Sequence, residues 1–489
     1  MPTADFHVKS HTSTSLHRTD AGIALLLLAI VFITKAPTLT LPYHWDELEA
    51  YVRPAHYLAM EGLWRIVPGM YPDTPEYEPA IGKENPAETF FGHPPGLYFS
   101  LALFYTLITE SVWISHLFAI TFAFLGVYYT YRLGNFLFDR VAGLFAALFL
   151  FGTPLYFTQA GLVLGDLPIT ALGVMSIYYA LREKYGVFLF CSIYMVLVKE
   201  TSIAILMALW LYVFWTKKNQ PDIKRKLLFH SIPILILGIF FLWQRLATGS
   251  VFPNPYMDYN QVFYFPWSHA RWVIRWTLIE QYRWVLCGLV LVHFLVCRRR
   301  AWKKEYILFA LIGLFYMGAF CFLFFMTRYI LPFLPYLCLA GAAAIVALTR
   351  NRGVQAAVTV IILIAFGDKF YGHYTGYSNY GEDLQYTDMI AIHQEACRYI
   401  ENNYENPNVV TLYPVSLMLQ EPYLGYVSKP IPVVSCEQDF DVIVYVKHRE
   451  AESPRYKHDP LQEIIAANRC HLVKNIAKNG KSLQIYVSE

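Results

Sequence analysis

Charge is scarce in this 489-residue chain: Asp, Glu, Lys and Arg make up 15% of it, whereas soluble domains approach about a quarter. Water is therefore not the main solvent of the fold. A net charge of only +3 gives no basic face for a nucleic acid, and no nucleic-acid partner is expected. The chain also lacks CxxC spacing, internal repeats and low-complexity linkers, which argues against a zinc or redox motif and against a solenoid. Of eight cysteines, Cys191, Cys287, Cys297, Cys321 and Cys338 lie in or beside apolar segments, where core packing explains them. Cys397, Cys436 and Cys470 lie in the tail, an odd number that permits at most one internal disulfide.

What the chain has instead is apolar surface: 56% hydrophobic residues, 17% aromatic residues and a mean hydropathy of +0.36. A helix needs roughly 17 to 25 apolar residues to cross about 30 Å of hydrocarbon. Apolar segments lie at about 21–38, 112–131, 141–158, 167–181, 186–198, 201–215, 227–246, 284–297, 306–326, 329–348 and 354–370, giving a polytopic α-helical membrane protein of about eleven spans. The first follows a weakly basic start with Lys9 and Arg18, and no small-x-small cleavage site follows it, so it reads as an uncleaved span.

Short loops rich in Lys and Arg stay cytoplasmic. With the N-terminus (1–20) inside, the inner connections carry Arg132 and Arg140, then Arg182 and Lys184, then Lys217, Lys218, Lys224, Arg225 and Lys226. Arg298, Arg299, Arg300, Lys303 and Lys304 follow, and last Arg350 and Arg352. The alternation holds only if Gly96–Ile108 is a juxtamembrane or re-entrant helix and not a span. The expected layout is then a transmembrane module over 21–370, with a first outward loop at about 38–111, a further outward loop from Thr248 to Arg271, and an outward α/β domain over 371–489. The protein is expected in the cell (inner) membrane.

Within the first loop, Leu48, Tyr51, Val52, Ala55, Leu58 and Ala59 recur near a 3.6-residue period, which predicts an amphipathic interfacial helix from Asp46 that Gly62 ends. In the tail, Tyr386–Asn403 has helical spacing, Val409–Tyr413 and Val442–Val446 read as strands, and Leu472–Ile476 and Leu483–Val487 flank the hairpin signal Asn479-Gly480.

Ionisable groups at membrane depth are costly and point to function. Asp46 and Glu47 directly follow the first span; they could act as general base and as ligands for a divalent cation, or simply favour a helix N-terminus. His93, fixed by two prolines, could contact phosphate or shuttle a proton, or mark a turn. Asp166 could join the acids or cap a helix. Lys199 could hold a lipid phosphate, or pair with Glu200. Arg328 is a natural bidentate phosphate partner. The topology gathers all six on one side of the membrane.

Five motifs carry a resemblance: His44-Trp45-Asp46-Glu47, Gly92-His93-Pro94-Pro95-Gly96-Leu97, Leu164-Gly165-Asp166-Leu167-Pro168, Val198-Lys199-Glu200-Thr201 and Arg328-Tyr329-Ile330-Leu331-Pro332. In order and spacing over about residues 20–350 the chain resembles the GT-C glycosyltransferases, and among them the bacterial relatives of protein O-mannosyltransferases and lipid A aminoarabinose transferases. The resemblance implies an inverting transfer of a hexosyl or pentosyl group from a polyprenyl-phosphate donor to a hydroxyl of a lipid, glycan or protein, at the outer face. Asp46 and Glu47 then match the catalytic acids. His93, Asp166, Lys199, Arg328 and Tyr329 match donor-binding positions, and Asp46, Glu47 and Asp166 are the candidate cation ligands. His93 departs from the Lys-Pro of the aminoarabinose branch. The rival readings are an O-antigen ligase or polymerase using a related donor, a lipid or sugar transporter, and a non-catalytic scaffold.

Overall fold

The computed structural model describes residues 13–62, 93–249, 251, 267–297, 304–371, 381–447, 460–468 and 470–488. Residues 63–92 of the first loop, most of the loop from Thr248 to Arg271, and the basic residues Arg298, Arg299, Arg300 and Lys303 lie outside the described residues.

The helices are α1 Ser13–Lys35, α2 Arg53–Glu61, α3 Gly96–Leu107, α4 Val112–Leu137, α5 Arg140–Gly152, α6 Pro154–Gln159, α7 Asp166–Leu181, α8 Tyr185–Val198 and α9 Ile203–Lys217. Then come α10 Ile223–Thr248, α11 Trp267–Leu278, α12 Arg283–Cys297, α13 Lys304–Phe320, α14 Leu334–Leu348, α15 Arg352–Gly367, α16 Tyr386–Asn403, α17 Val415–Gln420 and α18 Pro460–Ala467. A helix forms in each apolar segment named above. Among the described residues, five are long and apolar enough to cross a membrane: Asp20–Thr38, Val112–Leu137, Ile223–Ala247, Glu280–Cys297 and Thr327–Leu348. Others are shorter for identifiable reasons. The segment at 141–158 breaks at Thr153, whose extended backbone precedes Pro154, because proline disfavours a helical residue before it.

Burial sorts the bundle into centre and rim. The apolar window of Thr327–Leu348 is 89% buried, against 22% for Asp20–Thr38 and 28% for Ile223–Ala247. The central helix α14 is rich in small residues, Gly341 to Ala344, which let α5 and α12 approach it closely. The rim helices turn Leu25, Ile239 and Leu291 outward, a surface that suits lipid and not water. The protein is thus an integral membrane protein by its fold.

The first loop opens with a π-helical turn, Leu48–Val52, that runs into α2, and Gly62 ends α2 with φ of 109°. Leu48, Val52 and Ala55 are fully buried and α2 packs on α3. Protein, and not a lipid interface, covers the apolar stripe read from the sequence. The short helix α3 leaves Phe104, Leu107 and Ile108 exposed at its far side.

After residue 381 a four-stranded sheet forms in the order β1-β2-β4-β3, from Val409–Thr411, Val442–Lys447, Lys481–Val487 and His471–Lys478. The strand β1 runs parallel to β2, and the other pairs are antiparallel. The last two strands are joined at Asn479-Gly480, with Lys478 paired to Lys481, as the turn signal predicts. Alternation gives the sheet two apolar faces. Val442, Val444, Leu483 and Ile485 join the cluster that includes α16 and continues into the membrane bundle, while Ile443 and Tyr445 pack with Leu461 of α18 on the other face.

Candidate active site

Four connections meet at one end of the bundle. They are the turn after α1, the start of α7, the link between α8 and α9, and the 3-10 segment Thr327–Phe333 before α14. Each contributes one residue to a continuous ionic chain of Asp46, Asp166, Lys199 and Arg328. The Lys199 ammonium donates to Asp166 Oδ1 at 2.7 Å. The other oxygen of Asp166 lies 3.3 Å from Arg328 Nε, and Arg328 Nη2 donates to Asp46 Oδ2. Tyr329 floors the cluster, with Lys199 Nζ 4.1 Å and the Arg328 guanidinium carbon 5.6 Å from its ring centroid.

Burial within this chain is graded. The side chains of Asp166, Lys199 and Arg328 are 2%, 3% and 7% exposed, whereas Asp46 is 29% exposed. An incoming molecule therefore meets Asp46 first. Burial alone would lower the Lys199 ammonium, but Asp166 beside it holds it charged, above the ordinary lysine value. Gly165 packs its backbone against Tyr51 and Lys199: an added Cβ would stand 2.9 Å from the Tyr51 hydroxyl.

Asp166 does not cap α7. Gly165 is the N-cap and no side chain caps there, so the carboxylate is spent on cations. Nor does Lys199 pair with Glu200: Glu200 Oε2 takes His93 Nδ1 at 2.9 Å. Burial would raise Glu200, but His93, its hydrogen bond and Lys199 together hold the carboxyl below its usual range. His93 therefore sits beside the cluster, paired with Glu200 and with its side chain partly exposed.

Glu47 departs from the expectation of a second catalytic acid. It is fully buried, and its two oxygens accept from the backbone N–H of His44 at 2.7 Å and of Val163 at 2.6 Å. Burial pushes its carboxyl up to about 8 against the pull of those two bonds. It ties the first loop to the α6–α7 connection. The candidate cation set of Asp46, Glu47 and Asp166 likewise does not form: Arg328 stands between the two aspartates, Glu47 is committed to backbone, and no group of three or more acid, His or Cys side chains among the described residues is arranged to hold a metal.

The turn that aims Asp46 is strained. Trp45 has φ of 51°, a left-handed conformation uncommon for a bulky residue. Sequence reasoning missed Tyr51, absorbed into the apolar period, and Glu382, which approaches from the far end of the chain. Thr327, next to Arg328, donates to Glu382 Oε1 at 2.7 Å.

Residues 92–243 match the family model of dolichyl-phosphate-mannose-protein mannosyltransferases. No curated protein matches the sequence. Among solved structures, the crystal structure of ArnT from Cupriavidus metallidurans bound to undecaprenyl phosphate superposes with a TM-score of 0.58, at 13% identity, covering 97% of this chain and 98% of that one. The apo state of the same ArnT gives a TM-score of 0.58 at 14% identity, over 96% and 98% of the two chains. The fold is therefore shared with ArnT, as the motif resemblance suggests. The likeness extends along nearly the whole of both chains, tail included.

Proposed function

We propose that the chain is a glycosyltransferase that moves a sugar from a polyprenyl-phosphate donor to an acceptor hydroxyl, at the outer face of the cell membrane. The observation that carries this reading is the Asp46–Arg328–Asp166–Lys199 chain: a part-exposed carboxylate held by a buried guanidinium, with a second buried cation behind it. A phosphate oxygen can replace the Asp46 carboxylate on Arg328, because both are oxyanions that suit the guanidinium fork. Asp46 is then released as a base.

In the step proposed, the acceptor oxygen attacks the anomeric carbon and its proton passes to Asp46. The bond between that carbon and the phosphate oxygen breaks, and its electron pair leaves with the polyprenyl phosphate, stabilised by Arg328 and Lys199. Attack opposite the leaving group inverts the anomeric centre. The ArnT whose fold is shared was crystallised with undecaprenyl phosphate, which supports a donor of this chemistry. The charge alternation of the loops supports an outward position for this end of the bundle and for residues 371–489.

The test is sugar transfer from radiolabelled polyprenyl monophosphate sugars to membrane lipids and proteins, with wild type beside Asp46→Asn. A general base is worth roughly 10²- to 10⁴-fold, so Asp46→Asn should lose that much turnover. It should keep, or tighten, undecaprenyl phosphate binding, since Arg328 no longer has a competing carboxylate. Near-normal turnover by the variant removes the base role; no transfer by wild type across a broad donor panel removes the enzyme.

A further inference from the structure

We infer that the C-terminal α/β unit is a clamp that positions both members of the Asp46–Arg328 pair, with Tyr413, Tyr426 and Glu382 as the positioning residues. On the aspartate side, two tail hydroxyls donate to two first-loop carbonyls: Tyr426 to Tyr43 at 2.7 Å and Tyr413 to Trp45 at 2.8 Å. The Trp45 carbonyl belongs to the rigid peptide plane that carries the Asp46 N–H, so fixing it fixes the direction in which Asp46 leaves the turn. Trp45 is the strained residue of that turn, and a left-handed bulky residue persists only where its surroundings over-determine it. Tyr413 supplies such a surrounding twice, through its hydroxyl and through an edge-on ring contact with Trp45 at 5.7 Å.

On the arginine side, the start of the same unit is threaded into the bundle. Gln159 of α6 donates to the Gly381 carbonyl at 2.9 Å, and Gln281, before α12, donates to the Glu382 carbonyl at 2.9 Å. The buried Glu382 carboxylate then accepts from Thr327, the first residue of the segment that presents Arg328 and Tyr329. One unit therefore grips both sides of a pair whose members lie 282 residues apart. The two grips are joined by the α16 and sheet core, which is continuous with the bundle.

The inference deepens the proposed reaction and rests on it for its kinetic readout, so the experiment includes one that does not. In the full-length protein in proteoliposomes, Tyr413→Phe, Tyr426→Phe and the double variant remove only hydroxyls. Hydrogen exchange of the 43–48 backbone should speed up in these variants while exchange in α14 stays unchanged. With each hydroxyl bond worth about 1 kcal/mol, kcat should fall roughly fivefold per variant at unchanged donor KM. Glu382→Gln, which weakens the Thr327 contact, should instead weaken undecaprenyl phosphate binding severalfold, measured without any sugar transfer. If wild type transfers no sugar but exchange and phosphate binding shift as stated, the clamp stands and the reaction falls. Wild-type exchange and wild-type kcat in the double tyrosine variant, or unaltered phosphate binding in Glu382→Gln, overturn the clamp.

Discussion

Removing the Lys199 amine should cost more than removing it together with the charge of Asp166. Lys199 and Asp166 are joined at 2.7 Å with both side chains almost wholly out of solvent. Neither can rehydrate when its partner is lost. Breaking a buried ion pair by deleting one member costs about 3–5 kcal/mol, since an uncompensated charge is left behind. Lys199→Met belongs at the lower end, about 3 kcal/mol, because Arg328 Nε still stands 3.3 Å from Asp166. Asp166→Asn strips the acid from two cations at once and leaves Lys199 without one, so about 4 kcal/mol is expected. The double variant carries no stranded charge and should lose only about 2 kcal/mol. The coupling energy of the cycle is then on the order of 5 kcal/mol, well above the 0.5–3 kcal/mol usual for neighbours. Unfolding by SDS titration in mild detergent, read by circular dichroism, gives all four corners. Single costs below about 1 kcal/mol that simply add would refute the buried pair.

Three other outcomes follow from single residues. The Glu47 carboxyl, raised from 4.5 to about 8, binds a proton in the folded protein that the unfolded chain has lost between those values. Stability should be full below about pH 4.5 and decline by up to about 1.4 kcal/mol per pH unit until about pH 8. Glu47→Gln should flatten that slope and lower the plateau, since an amide nitrogen cannot accept from Val163; an unaltered slope in pH-dependent unfolding removes the argument. Gly96→Ala would place its Cβ 2.5 Å from the Leu197 carbonyl oxygen at the end of α8. Backbone cannot give way as a side chain can, so a loss of about 1–3 kcal/mol is expected, and an unchanged melting temperature would show that α3 does not pack there. His93→Gln keeps a donor for Glu200 but removes the imidazole; donor KM should rise about threefold to tenfold with kcat nearly constant, and steady-state kinetics that show the reverse would place His93 in the chemical step.

The sequence by itself determined the elements of this protein. Apolar runs of span length become helices because a backbone in lipid has no other way to satisfy its hydrogen bonds, and each run named from composition contains one. Gly62 and Asn479-Gly480 mark a helix end and a hairpin because few residues accept those backbone angles. The charged residues stood out for the same energetic reason, and four of those named, Asp46, Asp166, Lys199 and Arg328, meet in one cluster over the Tyr329 ring. Only the tertiary structure decided which of them join the ionic chain. Glu47 differs from Asp46 by one position, yet one residue of rotation through a strained turn directs it to the His44 and Val163 amides and not to Arg328. Lys199 chooses Asp166 over its neighbour Glu200, and the tail's Tyr413, Tyr426 and Glu382 reach the site from beyond the last membrane helix. A local pattern encodes which groups cannot remain in water or lipid unpaired, whereas the partner each one finds is set by contacts between segments from 33 to 282 residues apart or more, where direction and distance have no local signal.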